Sequence, residues 1–142
     1  MALQSITLVP TTTFGTPTVN YDGSSTTFYS DKTKGSGYYG YTDGLHTIAF
    51  YLTNFIGKIT VQGSLAKDPG DNDWFNVSLG SGGVTSTVST TGLVSETTVE
   101  EIVYTEATTN QKTYNFIGNI VWVRVEVEDF SAGTIRKIIY NY

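Results

Sequence analysis

The sequence predicts an all-β protein, folded as a single-domain antiparallel β-sandwich with a jelly-roll-like arrangement of strands. Apolar residues alternate with polar ones in several segments, which is the period of a strand with one buried face. No long window has apolar residues at three- and four-residue spacing, and segments rich in Gly, Ser and Thr separate the candidate strands. At 142 residues the chain suits one domain whose core needs neither disulfides nor a metal.

The first part of the chain contains an edge element and a strand that is apolar on both faces. Residues 1–12, which include "SITLVP", are predicted to form an edge strand or an N-terminal arm. In "LHTIAFYLTNF" (residues 45–55), His46, Ile48, Phe50 and Leu52 share one face, and the opposite face also carries apolar residues. This pattern indicates that both faces are buried, either by the domain itself or by another subunit.

Two further segments have the strictest alternation in the chain. Residues 57–65 alternate through Ile59, Val61 and Leu65, and residues 118–128 carry four valines at every other position. The "SAG" of residues 131–133 is predicted to turn the chain into a C-terminal hairpin. Shorter candidate strands are residues 74–79 and 100–107.

A short self-similarity precedes each of these two segments. "NFIGKI" (residues 54–59) recurs as "NFIGNI" (residues 115–120), and each copy is expected to begin a strand. Either the two copies are equivalent positions of one sandwich, or they coincide because Gly and Asn are common in this sequence.

The composition excludes several classes of protein. A net charge of −5 and scattered basic residues disfavour nucleic-acid binding, and the absence of Cys excludes thiolate catalysis and zinc-thiolate sites. The N-terminus lacks a secretory signal pattern, and no apolar run approaches the roughly twenty residues that cross a bilayer. No motif predicts a cofactor or a catalytic centre.

The loop "KDPGDND" (residues 67–73) is the best candidate for a metal site. Asp68, Asp71, Asn72 and Asp73 are oxygen ligands of the kind that calcium prefers, but their spacing does not match an EF-hand loop. Pro69 and Gly70 are typical of a β-turn, so a hairpin loop is the favoured interpretation, with calcium binding left open.

Two groups of residues could in principle support catalysis, a triad containing the histidine and a pair of carboxylates. His46 is the sole histidine and shares a strand face with Ile48 and Phe50, which favours a hydrogen-bonded structural role over a Ser-His-Asp triad. Four glutamates could supply a carboxylate pair for sugar hydrolysis, namely Glu96, Glu100, Glu101 and Glu106, but solvation at strand edges explains them with fewer assumptions. We therefore expect no enzymatic activity.

Aromatic residues supply the remaining candidate sites. Tyr38, Tyr39 and Tyr41 lie in "GYYGY", and the residues predicted with them to form a subunit interface are His46, Ile48, Phe50 and Leu52. Rigid aromatics beside Gly and Ser are typical of protein interfaces. Trp74 is instead a candidate for stacking on a sugar ring.

The two segments "GYYGYTDGLHTIAFYLTNFIGKITVQGSLAKDPGDNDWFNV" (residues 37–77) and "NFIGNIVWVRVEVEDFSAGTIRKIIYNY" (residues 115–142) carry a resemblance to a known class of protein. The chain resembles small virion structural proteins of contractile-tailed bacteriophages, especially cyanophages and related marine phages. "YYGYTDGLHT", "VQGSLAKDP" and "GTIRKIIYN" are its most specific pieces.

The resemblance implies a non-enzymatic β-sandwich that self-associates, as a trimer, and decorates or cements the capsid, neck or tail. Implied partners are its own copies and the major capsid or tail proteins, within a virion assembled in the host cytoplasm. A receptor-binding or glycan-binding module at a tail-fibre or baseplate tip is the alternative. The resemblance transfers no catalytic residue and no cofactor.

Overall fold

A computed structural model describes residues 5–41, 44–81, 86–88, 94–96 and 98–142. These residues form twelve β-strands and one short 3₁₀ helix, so the predicted all-β class is confirmed. The elements are β1 (Ser5–Val9), β2 (Thr12–Thr13), β3 (Phe28–Tyr29), β4 (Thr33–Lys34), the 3₁₀ helix (Ser36–Tyr39), β5 (Leu45–Ser64), β6 (Phe75–Asn76), β7 (Leu79–Ser81), β8 (Ser86–Val88), β9 (Val94–Glu96), β10 (Thr98–Val99), β11 (Glu101–Ile117) and β12 (Trp122–Asn141). Within the described residues, no helix is long and apolar enough to span a membrane.

Three long strands organise the molecule. β5 pairs with β12 on one side and β11 on the other, both antiparallel, in an open sheet of order β1-β12-β5-β11-β7-β10. The short strands β2, β3 and β4 pair with β12, and β6 pairs with β5. β8 and β9 form a separate two-stranded sheet. β1 is the edge strand predicted within residues 1–12; residues 1–4 lie outside the described part of the chain.

Each long strand is interrupted near its middle. In β5, the buried apolar side chains lie at even positions up to Leu52 and at odd positions from Phe55 to Val61, and Asn54 between them has φ 51°. In β12, Asp129 has φ 53° and Gly133 has φ 85°, and the register with β5 shifts across residues 128–134. Extra residues of this kind are β-bulges, which bend a strand.

The bends divide the sheet into two halves. The first half-sheet contains residues 45–53 of β5, 108–117 of β11 and 134–141 of β12, with β1, β2 and β7 beside them. The second half-sheet contains residues 57–64, 101–104 and 122–128 of the same strands, with β3, β4 and β6.

The two half-sheets bury one shared core. Ile48, Phe50 and Ile138 of the first and Val61 and Val125 of the second are fully buried members of the same cluster. At the end opposite the bends, the chain around the start of the 3₁₀ helix is held beside the segment before β12, because the Gly35 N–H donates to the Val121 carbonyl oxygen at 2.8 Å. The predicted antiparallel sandwich is therefore confirmed, and its layers come from the same three strands bent double.

Three local predictions require correction. Residues 131–133 do not form a hairpin turn, because they lie within β12, where Gly133 belongs to the bend. Residues 45–55 and 57–64 are not separate strands, because both ranges lie in β5. Leu65 does not continue the buried face, because it lies beyond the end of β5 and is exposed.

The two "NFIG" copies share a local conformation but not a position in the fold. Gly57 has φ 158° and Gly118 has φ 151°, and the preceding Phe55 and Phe116 are both buried. The first copy, however, lies at the bend inside β5, whereas the second joins β11 to β12. The expectation that each copy begins a strand is thus wrong for the first copy.

Candidate functional site

Four tyrosines form a surface group here called the tyrosine platform: the exposed Tyr38, Tyr39 and Tyr41 and the partly buried Tyr142. The first three lie in or just after the 3₁₀ helix, and Tyr142 follows the end of β12. Tyr38, Tyr39 and Tyr41 are 45%, 48% and 51% exposed, which is high for aromatic side chains in contact with one another.

The rings of the platform form a surface rather than a column. The centroid of Tyr39 lies 5.6 Å from that of Tyr41 and 5.9 Å from that of Tyr142, with interplanar angles of 26° and 19°. The centroids of Tyr41 and Tyr142 are 6.3 Å apart, whereas the outer rings of a straight stack would be separated by nearly twice the first spacing. The rings of Tyr41 and Tyr142 are tilted by 36° to each other. The three rings therefore lie at the corners of a triangle and present a broad aromatic surface.

A cation-aromatic cluster borders the platform. Tyr38 contacts the edge of Trp122 at 5.3 Å, and the ammonium groups of Lys34 and Lys32 lie 4.4 Å and 4.6 Å from the ring centroids of Tyr38 and Trp122, respectively. Burial and a hydrogen bond with Tyr39 raise the pKa of Tyr142 to about 12. The Tyr142 hydroxyl is therefore neutral at physiological pH.

A buried histidine supports the platform from below. The imidazole of His46 is stacked on Phe116 with centroids 4.5 Å apart, and its Nδ1 and Nε2 lie 2.6 Å from the Tyr140 hydroxyl and the Gly118 carbonyl oxygen. Because a carbonyl only accepts hydrogen bonds, Nε2 carries a hydrogen, and in the neutral ring Nδ1 accepts the Tyr140 O–H. Ser36, which begins the 3₁₀ helix, lies 3.3 Å from Nε2.

This geometry confirms the structural interpretation of His46. Both His46 and Ser36 are buried, so no substrate reaches the Ser-His pair from solvent. The network instead ties the 3₁₀ helix to β12, whose Tyr140 ring lies 5.7 Å from Tyr142. It thereby fixes the base on which the exposed tyrosines rest.

The predicted interface residues are divided between the surface and the core. Tyr38, Tyr39 and Tyr41 are exposed, as an interface requires. The other four do not line an interface, because the protein's own second half-sheet covers that face of β5; the fully buried side chains are His46, Ile48, Phe50 and Leu52. Tyr142 was not among the residues predicted from the sequence. It follows the buried Tyr140 by two residues, and this spacing indicated that both tyrosines lie at the same end of the strand.

Trp74 belongs to a second aromatic group, on the outer face of the second half-sheet. The guanidinium of Arg124 lies between two rings, 4.3 Å from the centroid of Trp74 and 4.4 Å from that of Tyr29. Arg124 Nε also donates to Gln62 Oε1 at 2.8 Å. One face of the Trp74 ring is thus covered by Arg124, which weakens the case for Trp74 as a sugar-stacking residue.

The Asp68–Asp73 loop forms the predicted hairpin connection, because β5 and β6 on either side of it pair in antiparallel fashion. The Gly70 N–H donates to Asp73 Oδ2 at 2.7 Å, and the Asp73 N–H donates to the Gly70 carbonyl at 3.2 Å. These bonds close a turn on itself. Within the described parts of the chain, no group of three or more His, Cys, Asp or Glu residues is placed to hold a metal ion.

One of the carboxylates considered for hydrolysis, Glu101, belongs to a charge network on the second half-sheet. Glu101 forms an ion pair with Lys58 at 3.6 Å, and Lys58 also lies 3.5 Å from Glu128. A hydrogen bond that the protonated Glu128 carboxyl donates to Glu126 raises the pKa of Glu128, with burial as the next cause. These groups form a surface charge network on the second half-sheet.

Comparison with known proteins places the fold only. No protein-family model and no curated protein matches the chain. Among solved structures, it is similar to the SPBc2 prophage-derived protein YomS, with a TM-score of 0.51 and 10% identity over 98% of this chain and 90% of the other. It is also similar to CBM29_1, a family 29 carbohydrate-binding module from Piromyces equi, with a TM-score of 0.48 and 9% identity over 100% and 93% of the two chains. At such identities the likeness to YomS shows a common fold.

Proposed function

We propose that this protein is a non-enzymatic structural component of a bacteriophage particle, where the tyrosine platform binds a neighbouring protein of the particle. The observation that carries the proposal is the platform itself: the exposed rings of Tyr38, Tyr39 and Tyr41 are gathered against one another and against the partly buried Tyr142. Self-association completes the proposal, with decoration or cementing of the capsid, neck or tail as the role.

The chemistry of the platform favours a protein partner. Tyrosine supplies a large contact area at a low cost in conformational entropy, and its hydroxyl remains able to form hydrogen bonds at the rim of an interface. The stacked contacts and the buried His46 network restrict these side chains before binding, so that little order has to be acquired on association. The similarity to a prophage-derived protein and the phage-like sequence segments are consistent with a place in the particle.

The proposal is tested by incorporation into particles. Phage particles that lack the protein are purified, incubated with added protein, and analysed for bound protein after sedimentation. Wild-type protein should bind at a fixed number of copies per particle, and Tyr39→Ala with Tyr41→Ala should reduce binding at least about tenfold, as expected for aromatic interface residues. Tyr29→Ala is the matched control, since Tyr29 is exposed to a similar extent (41%) but lies outside the platform. Equal binding by all variants would refute a role of the platform.

Glycan binding is the second candidate, and the flat, half-exposed face of Tyr39 and Tyr41 is the observation that favours it. Such a face suits stacking against the apolar side of a sugar ring. In this case the protein should bind envelope polysaccharide from a susceptible host, and Tyr41→Ala should abolish that binding without changing the circular dichroism spectrum. Retained particle binding with no affinity for any host glycan would eliminate this candidate.

A further inference from the structure

Cationic side chains form a row on the outer face of the second half-sheet, next to the tyrosine platform. Trp122 and Arg124 lie two residues apart in β12, and because Val123 between them is fully buried, both side chains lie on the outer face. Lys34 in β4 is the register partner of Trp122. The cluster around Trp122 and the contact between Arg124 and Trp74 thus belong to one surface, here called the cation strip, whose charged members are Lys32, Lys34 and Arg124.

An aromatic ring holds each of these cations in place. The rings are Trp122 for Lys32, Tyr38 for Lys34 and Trp74 for Arg124, with distances to the ring centroids of 4.6 Å, 4.4 Å and 4.3 Å. The Trp122 indole is itself fixed, because its Nε1 donates to the Lys67 carbonyl oxygen at 3.0 Å. Side chains that are ordered before binding lose little conformational entropy when they bind an anion.

The cations of the strip have no ion-pair partner within the described residues. The negative charges that act on Arg124 belong to Glu126 and Asp71, and neither forms an ion pair with it. Asp31, at the start of the strip, instead accepts a hydrogen bond from Asn20 Nδ2 at 3.0 Å. The strip therefore carries three unpaired cations on a protein whose net charge is −5. These cations attract an anionic ligand that the molecule as a whole repels.

Hydrogen-bond donors without a protein acceptor lie beside the cations. Arg124 Nε donates to Gln62 Oε1 at 2.8 Å, and Gln62 Nε2 donates to Asn76 Oδ1 at 3.3 Å, so that the three side chains form a row across β12, β5 and β6. Within the described residues, the terminal guanidinium nitrogens of Arg124 and the amide nitrogen of Asn76 have no acceptor. A guanidinium group binds a carboxylate with two parallel hydrogen bonds, and an amide N–H binds a hydroxyl oxygen.

We propose that the cation strip binds an acidic polysaccharide, whose carboxylates lie on the three cations and whose hydroxyl groups bind the Asn76 amide. A polymer with regularly repeated carboxylates matches a row of cations, and its hydroxyl groups match the free donors. A peptide strand cannot add here, because β12 is paired on both sides, with β5 and with the short strands β3 and β4. Three cations are few for a nucleic acid, which carries a phosphate at every nucleotide. This inference goes beyond the proposed function and does not rest on it.

Affinity gel electrophoresis tests the proposal with three uronate polymers, namely polygalacturonate, alginate and hyaluronate, and with neutral dextran. At low ionic strength at least one uronate polymer should retard the protein, sodium chloride should reverse this effect, and dextran should have none. Arg124→Gln combined with Lys32→Gln should weaken binding at least about tenfold, because each change removes a charge-assisted hydrogen bond. Lys137→Gln is the matched control, since Lys137 is an exposed lysine that lies 4.8 Å from the ring centroid of Tyr51, outside the strip.

The single variant Lys32→Gln separates binding from folding. Because Lys32 is exposed, its replacement should leave the circular dichroism spectrum unchanged and still weaken binding about threefold. No retardation by any of the three uronate polymers would overturn the proposal. An equal loss with Lys137→Gln would also overturn it, because the overall charge of the protein would then govern binding.

Two further polymers test the class of ligand. Poly-L-glutamate carries carboxylates without sugar hydroxyl groups, and single-stranded DNA carries phosphates. If either binds as tightly as the uronate polymers, the strip is a site for acidic protein segments or for nucleic acid, and the proposal is wrong. None of these outcomes alters the proposed function, which is tested separately on phage particles.

Discussion

The buried His46 network offers the sharpest test of the link between core and surface. Replacing His46 by Ala removes a fully buried ring that is stacked on Phe116 and leaves the Tyr140 hydroxyl and the Gly118 carbonyl without their partner. The cavity costs about 2 kcal/mol or more, and each deprived polar group adds about 1 kcal/mol. We therefore expect a loss of about 4 kcal/mol from the free energy of unfolding.

A double-mutant cycle isolates the hydrogen bond from the packing. His46→Phe keeps an aromatic ring against Phe116, so we expect a smaller loss of about 2 kcal/mol, and Tyr140→Phe should cost about 1 kcal/mol. When both changes are combined, no buried donor or acceptor of this pair is left unpaired. The double variant should then be more stable than the sum of the single losses predicts, by about 1 kcal/mol.

The measurement is denaturant unfolding followed by circular dichroism, with linear extrapolation to water. If the His46→Phe variant is fully folded but no longer binds phage particles, the network positions the tyrosines of the platform. A coupling energy within about 0.3 kcal/mol of zero would refute the reasoning, because two independent sites add to within that margin.

Two further predictions concern the glycine at the bend and the tyrosine hydroxyls with raised pKa values. Gly133→Ala should destabilise the protein by about 3 kcal/mol in denaturant unfolding, because a Cβ at this position would overlap the Asn54 carbonyl. Gly15 has a similar φ, +88° compared with +85° for Gly133, but open space around it. Gly15→Ala should therefore lower the free energy of unfolding by only about 1 kcal/mol. Burial raises the pKa of Tyr114 to about 12, and Tyr142 behaves alike, so the unfolded state loses these protons first as the pH rises. The contribution of these two phenols to stability should therefore be constant below pH 10 and be lost between pH 10 and 12, which tyrosinate absorbance and circular dichroism can follow together. A midpoint of phenol ionisation near 10 for all tyrosines would contradict this.

The strands could be predicted from the sequence because burial follows strict alternation. Ile59 and Val61 in β5 and the valines of β12 were expected in the core, and they are fully buried. The bends could not be predicted in the same way, since a bulge resets the alternation without adding a turn residue. Gly133 was expected to belong to a hairpin turn, since glycine is typical of turns. In the structure it lies at a bulge within a continuous strand.

The candidate site could be predicted only where its residues are close together in sequence. The exposed Tyr38, Tyr39 and Tyr41 are adjacent in the chain, and composition alone indicated a binding surface. Tyr142 joins them because the end of β12 lies beside the 3₁₀ helix, and Arg124 reaches Trp74 because β12 and β6 pair with opposite edges of β5. Contacts of this kind depend on register, which short-range patterns do not specify.

Bending three long strands together determines where the exposed tyrosines can gather. The sandwich has two unlike ends: one contains the bends, with Asp129 and Gly133, and the other contains the ends of the strands, with Ile117 and the tyrosine platform. In a sandwich made from separate hairpins, turns and strand ends would occur at both ends. Here the ends of β5, β11 and β12 lie together, so that Tyr142 after β12 packs beside the 3₁₀ helix. The platform therefore depends on the bends, which bring these strand ends to one side of the molecule.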